Sequence, residues 1–85
     1  MGFTRSLALE VAGQGVNVNA IAPGAIDVFE GQMDEAMTSQ IIKAIPAGRM
    51  GKPLDVANLA VFLAGDESGY ITGQIIVCDG GYTLP

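Results

Sequence analysis

Between Pro53 and Gly65 lies a helical stretch, Leu54 to Ala64, in which Leu54, Val56, Ala57, Leu59, Ala60, Val61, Phe62 and Leu63 leave almost no polar side. A helix of that kind has to be covered most of the way round. After a polar turn at Gly65–Gly69, the run Gln74-Ile75-Ile76-Val77-Cys78-Asp79 reads as a strand covered on both faces, ended by Gly80-Gly81. The chain has 85 residues, and a chain of that size buries only roughly 60% of the surface its unfolded form exposes. It can hardly supply the cover that these two segments demand. Internal staples are lacking: Cys78 is the only cysteine, there is no histidine, and the four basic and nine acidic residues are scattered. No disulfide and no metal site is expected.

The rest of the chain reads as alternating helices and strands. Phe3, Leu7 and Val11, with Ala8 and Ala12 beside them, make one apolar helical face that stops at Gly13-Gln14-Gly15. Leu9 points to the opposite side, giving this helix a second apolar position for a partner surface. Thr4 or Gly2 would cap the helix, but Met1 leaves almost no room for a preceding turn, so a truncation is expected here. Val16 to Ala22 is a β-rich strand ending at Pro23-Gly24. Ala25 to Asp34 has no clear period and reads as a surface loop. Met33, Met37, Ile41 and Ile45 repeat every four residues and predict a helix closed by Pro46, with Lys43 at its favourable C-terminal end. Pro53 sits at a first helical position with Asp55 near the positive end of the dipole. A strand, a long crossover carrying helices and a second strand form a βαβ unit whose strands run parallel.

Charge and hydropathy narrow the function. A net charge of −5 repels phosphate backbones and anionic lipid, so neither nucleic acid nor a membrane surface is an expected partner. No apolar run approaches the roughly 20 residues of a membrane span, and the first residues lack the layout of a secretory signal. A cytoplasmic location is expected, and a single free thiol agrees with a reducing compartment.

Asn19-Ala-Ile-Ala-Pro23-Gly24, Gly48-Arg49-Met50-Gly51-Lys52-Pro53-Leu54-Asp55-Val56, Phe62-Leu63-Ala64, and Tyr70-Ile71-Thr72-Gly73-Gln74 followed by Asp79-Gly80-Gly81 resemble short-chain dehydrogenases/reductases. The likeness is strongest to 3-oxoacyl-[acyl-carrier-protein] reductases, and it covers essentially the whole chain in the family's order and spacing. It implies an α/β fold in which residues 1–85 form a partial Rossmann-fold domain, the C-terminal portion of a doubly wound parallel sheet. The segments are then the end of the long helix after the family's Tyr-x-x-x-Lys, the sixth strand, the substrate lid, the next helix and the seventh strand. The glycine-rich phosphate loop and the catalytic Ser, Tyr and Lys of the family would lie upstream of Met1. The family also implies NAD(P) as cofactor of the complete enzyme, a dimer or tetramer as assembly, and a small-molecule or acyl-carrier substrate.

Reduction of a ketone needs a proton donor for the developing alkoxide, which in this family is the Tyr beside the Lys. Tyr70 is followed four residues on by Gln74, and Tyr82 lies too near the end to have such a partner. No catalytic residue is therefore assigned. Tyr70 is expected to pack in the turn before the last strand, and Tyr82 to belong to the tail. Gly13-Gln14-Gly15 follows a helix and lacks a third glycine at Val18, so it is a helix stop and not a dinucleotide loop. Ligands of open parallel sheets bind beyond the C-terminal ends of strands, which draws attention to Pro23-Gly24-Ala25-Ile26. By resemblance, the backbone N–H and C=O of Ile26 would bond the nicotinamide carboxamide, with Pro23 and Gly24 turning the chain to present them. Val28 departs from relatives that carry Thr there; valine cannot make the hydroxyl bond to the cofactor, which bears on affinity and cofactor choice. Residues 27–38 would form the lid over substrate. Asn19, on the same strand face as Asn17, is expected to bond neighbouring backbone, Arg49 and Asp55 to pair, and Cys78 to be a buried strand thiol.

Three readings follow: part of an NAD(P)-dependent oxidoreductase for a ketone or alcohol such as a 3-oxoacyl thioester, inactive alone; a non-catalytic oligomerisation or interaction piece; or a reading frame without selected function. Under the first, sequencing of the coding DNA before Met1 should reveal an in-frame Tyr-x-x-x-Lys, and its absence would leave the other two.

Overall fold

A computed structural model describes residues 2–29 and 31–85. Helix α1 spans Gly2–Val11, strand β1 Ala20–Pro23, helix α2 Glu35–Lys43, helix α3 Pro53–Ala64 and strand β2 Ile75–Cys78, with single 3₁₀ turns at Ala12–Gln14 and Asp66–Ser68. The two strands pair in parallel, Ala20 opposite Ile75 through Pro23 opposite Cys78. Helices α2 and α3 lie in the crossover between them, as the βαβ pattern predicts. Gly2 and Thr4, the two caps expected from the sequence, both lie within α1, and the expectation about Met1 falls outside the described residues.

The first strand is shorter than its β-rich sequence. Instead of a regular ladder over residues 16–19, two asparagines tie this lead-in to the segment before β2. Asn17 Nδ2 donates to the Gly69 carbonyl at 3.2 Å. Asn19 Nδ2 donates to the Ile71 carbonyl at 3.0 Å, while its Oδ1 accepts the Gln74 N–H at 3.0 Å. Side-chain amides can stand in for backbone partners where the ladder has not begun. The regular pattern starts with the Ala20 N–H donating to the Gln74 carbonyl at 2.9 Å and ends with the Gly24 N–H donating to the Cys78 carbonyl at 3.1 Å. Pro23 belongs to the strand and does not merely end it. In a parallel ladder alternate residues face the partner, so Pro23, out of phase with Ala20 and Gly24, turns its missing N–H away from β2.

Helix α2 covers less than the spacing of Met33, Met37, Ile41 and Ile45 predicts. Asp34 caps it, its carboxylate accepting the Ala36 N–H at 3.1 Å, which leaves Met33 outside. Ile45 lies beyond the C-cap residue Ala44 and is nevertheless buried, at 5% exposure. The four-residue repeat thus marks an apolar line that outlasts the helix at both ends. Helix α1 buries Ala8, with Thr4, Leu7 and Val11 half-buried, so its packed stripe runs through Thr4 and not through Phe3, which is exposed.

The largest departure from the sequence reading concerns cover. No residue of α3 is buried: Val56, Leu59 and Leu63 are half-buried, whereas Leu54 and Phe62 are exposed and Val61 is 72% exposed. In β2, Val77 is exposed, and Cys78 is half-buried instead of enclosed. Tyr70, expected to pack in its turn, is fully exposed. The Cα radius of gyration is 15.6 Å, against about 12 Å for a compact domain of this length. Two strands offer a helix one small surface, so the other sides of α3 meet solvent. The C-terminal end of α3 is closed by the buried Ser68, whose hydroxyl lies 3.0 Å from the Leu63 carbonyl and 3.1 Å from the Gly65 carbonyl. Among the described residues no helix is long and apolar enough to cross a membrane.

Replacing Asn19 by alanine removes one donated and one accepted bond between segments some fifty residues apart. Urea unfolding is expected to show a loss of about 1–2 kcal/mol, with faster amide exchange at Gln74; an unchanged midpoint would mean that water replaces both bonds.

Candidate functional site

The parallel register brings the ends of β1 and β2 side by side, and the chain leaving β1 becomes a partition between two cavities. One, of about 240 Å³, is lined by Ala25, Ile26, Arg49, Asp55, Cys78 and Gly80 among others. The other, of about 820 Å³ and mainly apolar, is lined by residues including Pro23, Gly24, Met37, Ile41, Ile45 and Tyr82. Ala25 and Asp79 line both. The larger volume lies within the range of about 300–1,000 Å³ typical of small-molecule sites.

Glycine is required at position 24 by this crowding. A Cβ there would stand 2.6 Å from Asp79 Cβ and 2.9 Å from Asp79 Cα, and the latter is backbone that cannot swing away. Ile26 is fixed by a parallel bridge to Gly51: the Gly51 N–H donates to the Ala25 carbonyl at 2.9 Å, and the Asp27 N–H donates to the Gly51 carbonyl at 2.8 Å. Because the bonds on that side come from its two neighbours, the N–H and C=O of Ile26 point away from Gly51. The carbonyl accepts the Val28 N–H at 3.0 Å and keeps a second lone pair. Asp27 then curls the chain, its carboxylate accepting the N–H of Phe29 at 3.1 Å and of Gly31 at 3.0 Å.

Two further carboxylates brace the walls. Asp55 sits 3.0 Å from Arg49 Nη1 and accepts the Lys52 N–H at 2.7 Å, closing the start of α3. The Arg49 bond, and after it the Lys52 N–H, hold this carboxyl below its ordinary value. Asp79 accepts the N–H of Gly81 at 2.9 Å and of Thr83 at 3.0 Å; bonding from the Thr83 side chain is the main influence holding it low. Gly80, with φ of 64°, lets the chain reverse at once after Asp79, and its carbonyl accepts the Ala47 N–H at 2.9 Å.

Of the residues singled out from the sequence, Pro23, Gly24, Ala25 and Ile26 come together at this partition. Val28 lies past the Asp27 turn, is exposed and lines neither of these cavities. The pairing of Arg49 with Asp55 and the backbone bonds of Asn19 are as expected. The reading overlooked Asp79, although an Asp-Gly-Gly run directly after a strand signals a carboxylate-braced reversal at the ligand-binding end of a sheet. It also overlooked Tyr82, which is exposed and lines the larger cavity as well as belonging to the tail.

Comparison with known proteins gives these features a context. Residues 1–83 match a family model described as Enoyl-(Acyl carrier protein) reductase. The chain is 45% identical over 83 residues to acetoacetyl-CoA reductase of Shinella zoogloeoides, covering 95% of this chain and 34% of that protein. It is 44% identical over 85 residues to the 3-oxoacyl-[acyl-carrier-protein] reductase of Thermotoga maritima, covering 99% and 35%. Its fold matches a solved structure of a 4-hydroxyisoleucine dehydrogenase mutant complexed with NADH and succinate at a TM-score of 0.88 and 32% identity, covering 99% of this chain and 36% of that one. The chain thus spans about a third of the length of these relatives.

Both braced carboxylates are depressed on folding, so their stabilisation is complete above the ordinary carboxylate range and is lost as pH falls through the lower folded values. Unfolding followed across pH should show stability declining from about pH 4 downward, and Asp55→Asn with Asp79→Asn should flatten that decline. Gly24→Ala should destabilise by about 1–3 kcal/mol in denaturant titration, because the added methyl meets the Asp79 backbone.

Proposed function

The chain belongs to the short-chain dehydrogenase/reductase family and corresponds to the C-terminal part of its fold, and from that premise we propose that it is a part of an NAD(P)-dependent oxidoreductase that reduces a ketone, with a 3-oxoacyl thioester as its substrate class. The single observation that carries the reading is the partition Pro23–Ile26 beside an apolar cavity of about 820 Å³. The named activities of the Shinella and Thermotoga relatives support the thioester class. In this reading residues 1–85 are a partial Rossmann-fold domain.

The residues present fit a nicotinamide. Ile26 offers an N–H and a carbonyl lone pair turned away from Gly51, the donor and acceptor that a carboxamide needs. Gly24 keeps the backbone close to Asp79, and Ala25 and Asp79 line both cavities there. When bound, the nicotinamide supplies the hydride that attacks the ketone carbon. Pro23, Gly24, Ala25 and Ile26 orient the ring, and Met37, from the expected lid, and Ile41 give the larger cavity an apolar wall. The proton for the developing alkoxide comes from a tyrosine beside a lysine outside these 85 residues, since neither Tyr70 nor Tyr82 has a lysine four residues on. Val28 supplies no hydroxyl to the cofactor, and a cytoplasmic oligomer is the expected setting.

A second reading, an oligomerisation or interaction piece, is favoured by the apolar residues left open on α1 and α3: Phe3, Leu9 and Val61.

Two experiments test the first reading. The purified chain, assayed by NAD(P)H absorbance with an acetoacetyl thioester, should show no turnover; turnover would demand a proton donor among these residues. A chimera in which the chain replaces the matched part of the Thermotoga maritima reductase should retain activity, and a folded but inactive chimera would sink the proposal. In that chimera Val28→Thr should tighten cofactor binding by about two- to tenfold, the worth of one hydrogen bond, measured as the Kd for NAD(P)H.

A further inference from the structure

The smaller cavity carries a group of contacts that the proposed chemistry does not use directly. Asp55 is the first acidic residue of α3, and it makes three connections at once. Its carboxylate binds Arg49 Nη1 at 3.0 Å and Nη2 at 3.4 Å, and it accepts the Lys52 N–H at 2.7 Å. Its backbone carbonyl lies 4.0 Å from the Cys78 thiol at the end of β2. Arg49 also donates to the Met50 carbonyl at 3.0 Å. Residues 49, 50 and 52 are therefore all held by one carboxylate or by the guanidinium paired with it, and Gly51 sits among them.

Gly51 in turn brackets Ile26 through both of its backbone groups. The bracket is close: a Cβ on Gly51 would lie 2.6 Å from Ile26 Cδ1. The orientation of the Ile26 N–H and C=O thus depends on where the 49–52 loop stands, and that loop is set by the Arg49–Asp55 pair. We propose that Asp55, together with Arg49, is a positioning group for the Ile26 main chain, acting through the 49–52 loop to aim the groups that receive the nicotinamide carboxamide. The proposal rests on the cofactor reading above for its purpose and on the bond chain Asp55–Arg49/Lys52–Gly51–Ala25/Asp27 for its mechanics. The pair is half in solvent, so its contribution to overall stability is small. Its effect is local, on a loop joined to its target by two hydrogen bonds.

The test is amide exchange in the full 85-residue chain, with substitutions Asp55→Ala, Asp55→Asn and Arg49→Met. Exchange at Gly51 and Asp27 should accelerate roughly three- to tenfold in Asp55→Ala, in line with the loss of a helix-start cap. The rise should be smaller in Asp55→Asn, which keeps an oxygen for the Lys52 N–H, while Ala20, which donates to the Gln74 carbonyl, and Gly73, which donates to the Val18 carbonyl ahead of the strands, stay unchanged. No selective rise at Gly51 and Asp27, or an equal rise at Ala20 and Gly73, overturns the positioning role. Arg49→Met leaves Asp55 as the helix cap and keeps the test decisive should Asp55→Ala fail to fold. A separate NADH titration follows the Ile26 amide signal: a shift in the unsubstituted chain that shrinks in Asp55→Asn supports the link to the cofactor. An Ile26 signal unmoved in the unsubstituted chain overturns the cofactor role of Ile26 and leaves the exchange readings to decide the positioning role by themselves.

Discussion

The parallel pairing of β1 with β2 joins segments more than fifty residues apart in sequence, so the entropy of closing that long loop has to be offset before the pairing gives any net gain. Parallel strands cannot be joined by a tight turn, and the crossover obliges helices to lie against the sheet. Once Ala20 stands opposite Ile75, the ends of the strands fall together, and Gly24 meets Asp79 at the distance only glycine tolerates. The asparagines ahead of β1 act on the same pairing: they fix the register before the ladder begins, where a slip by one residue would exchange the two faces of the strand.

That pairing organises more structure than it can cover. A two-stranded sheet is marginal in water, and α3 rests on it with one stripe while Leu54, Val61 and Phe62 stay open. Only Ala8, Ile45 and Ser68 are buried among the described residues. The hydrophobic driving force scales with area removed from water, and here that area is limited by the number of strands and not by the supply of apolar side chains. The match over about a third of each relative's length fits this arithmetic.

Much of this was legible in the residues because it depends on local chemistry. Pro53 and Asp55 announce the start of α3, Gly13 and Gly15 the end of α1, and the β-branched run at 75–77 the last strand. The misplacements share one cause. Periodicity reports apolar positions and not hydrogen bonds, so Met33 and Ile45 looked helical although Asp34 and Ala44 cut the helix inside them. Residues 16–19 looked like strand although, apart from the Gly73 N–H on the Val18 carbonyl, side chains of Asn17, Asn19 and Thr72 make the links there. At the site, the segment Pro23–Ile26 could be read from its place after a strand. The bracing of the reversal by Asp79 was legible in its Asp-Gly-Gly run, but the approach of Asp79 to Gly24 and the part played by Gly51 were not, because both act across contacts between segments distant in sequence, which no local pattern encodes.

Ala25 and Asp79 present surface to both cavities. A residue that lines both cannot buffer one compartment from the other. A substitution at either residue for what it does on one side is at the same time a substitution on the other, so neither compartment can be reshaped at this boundary as an independent trait.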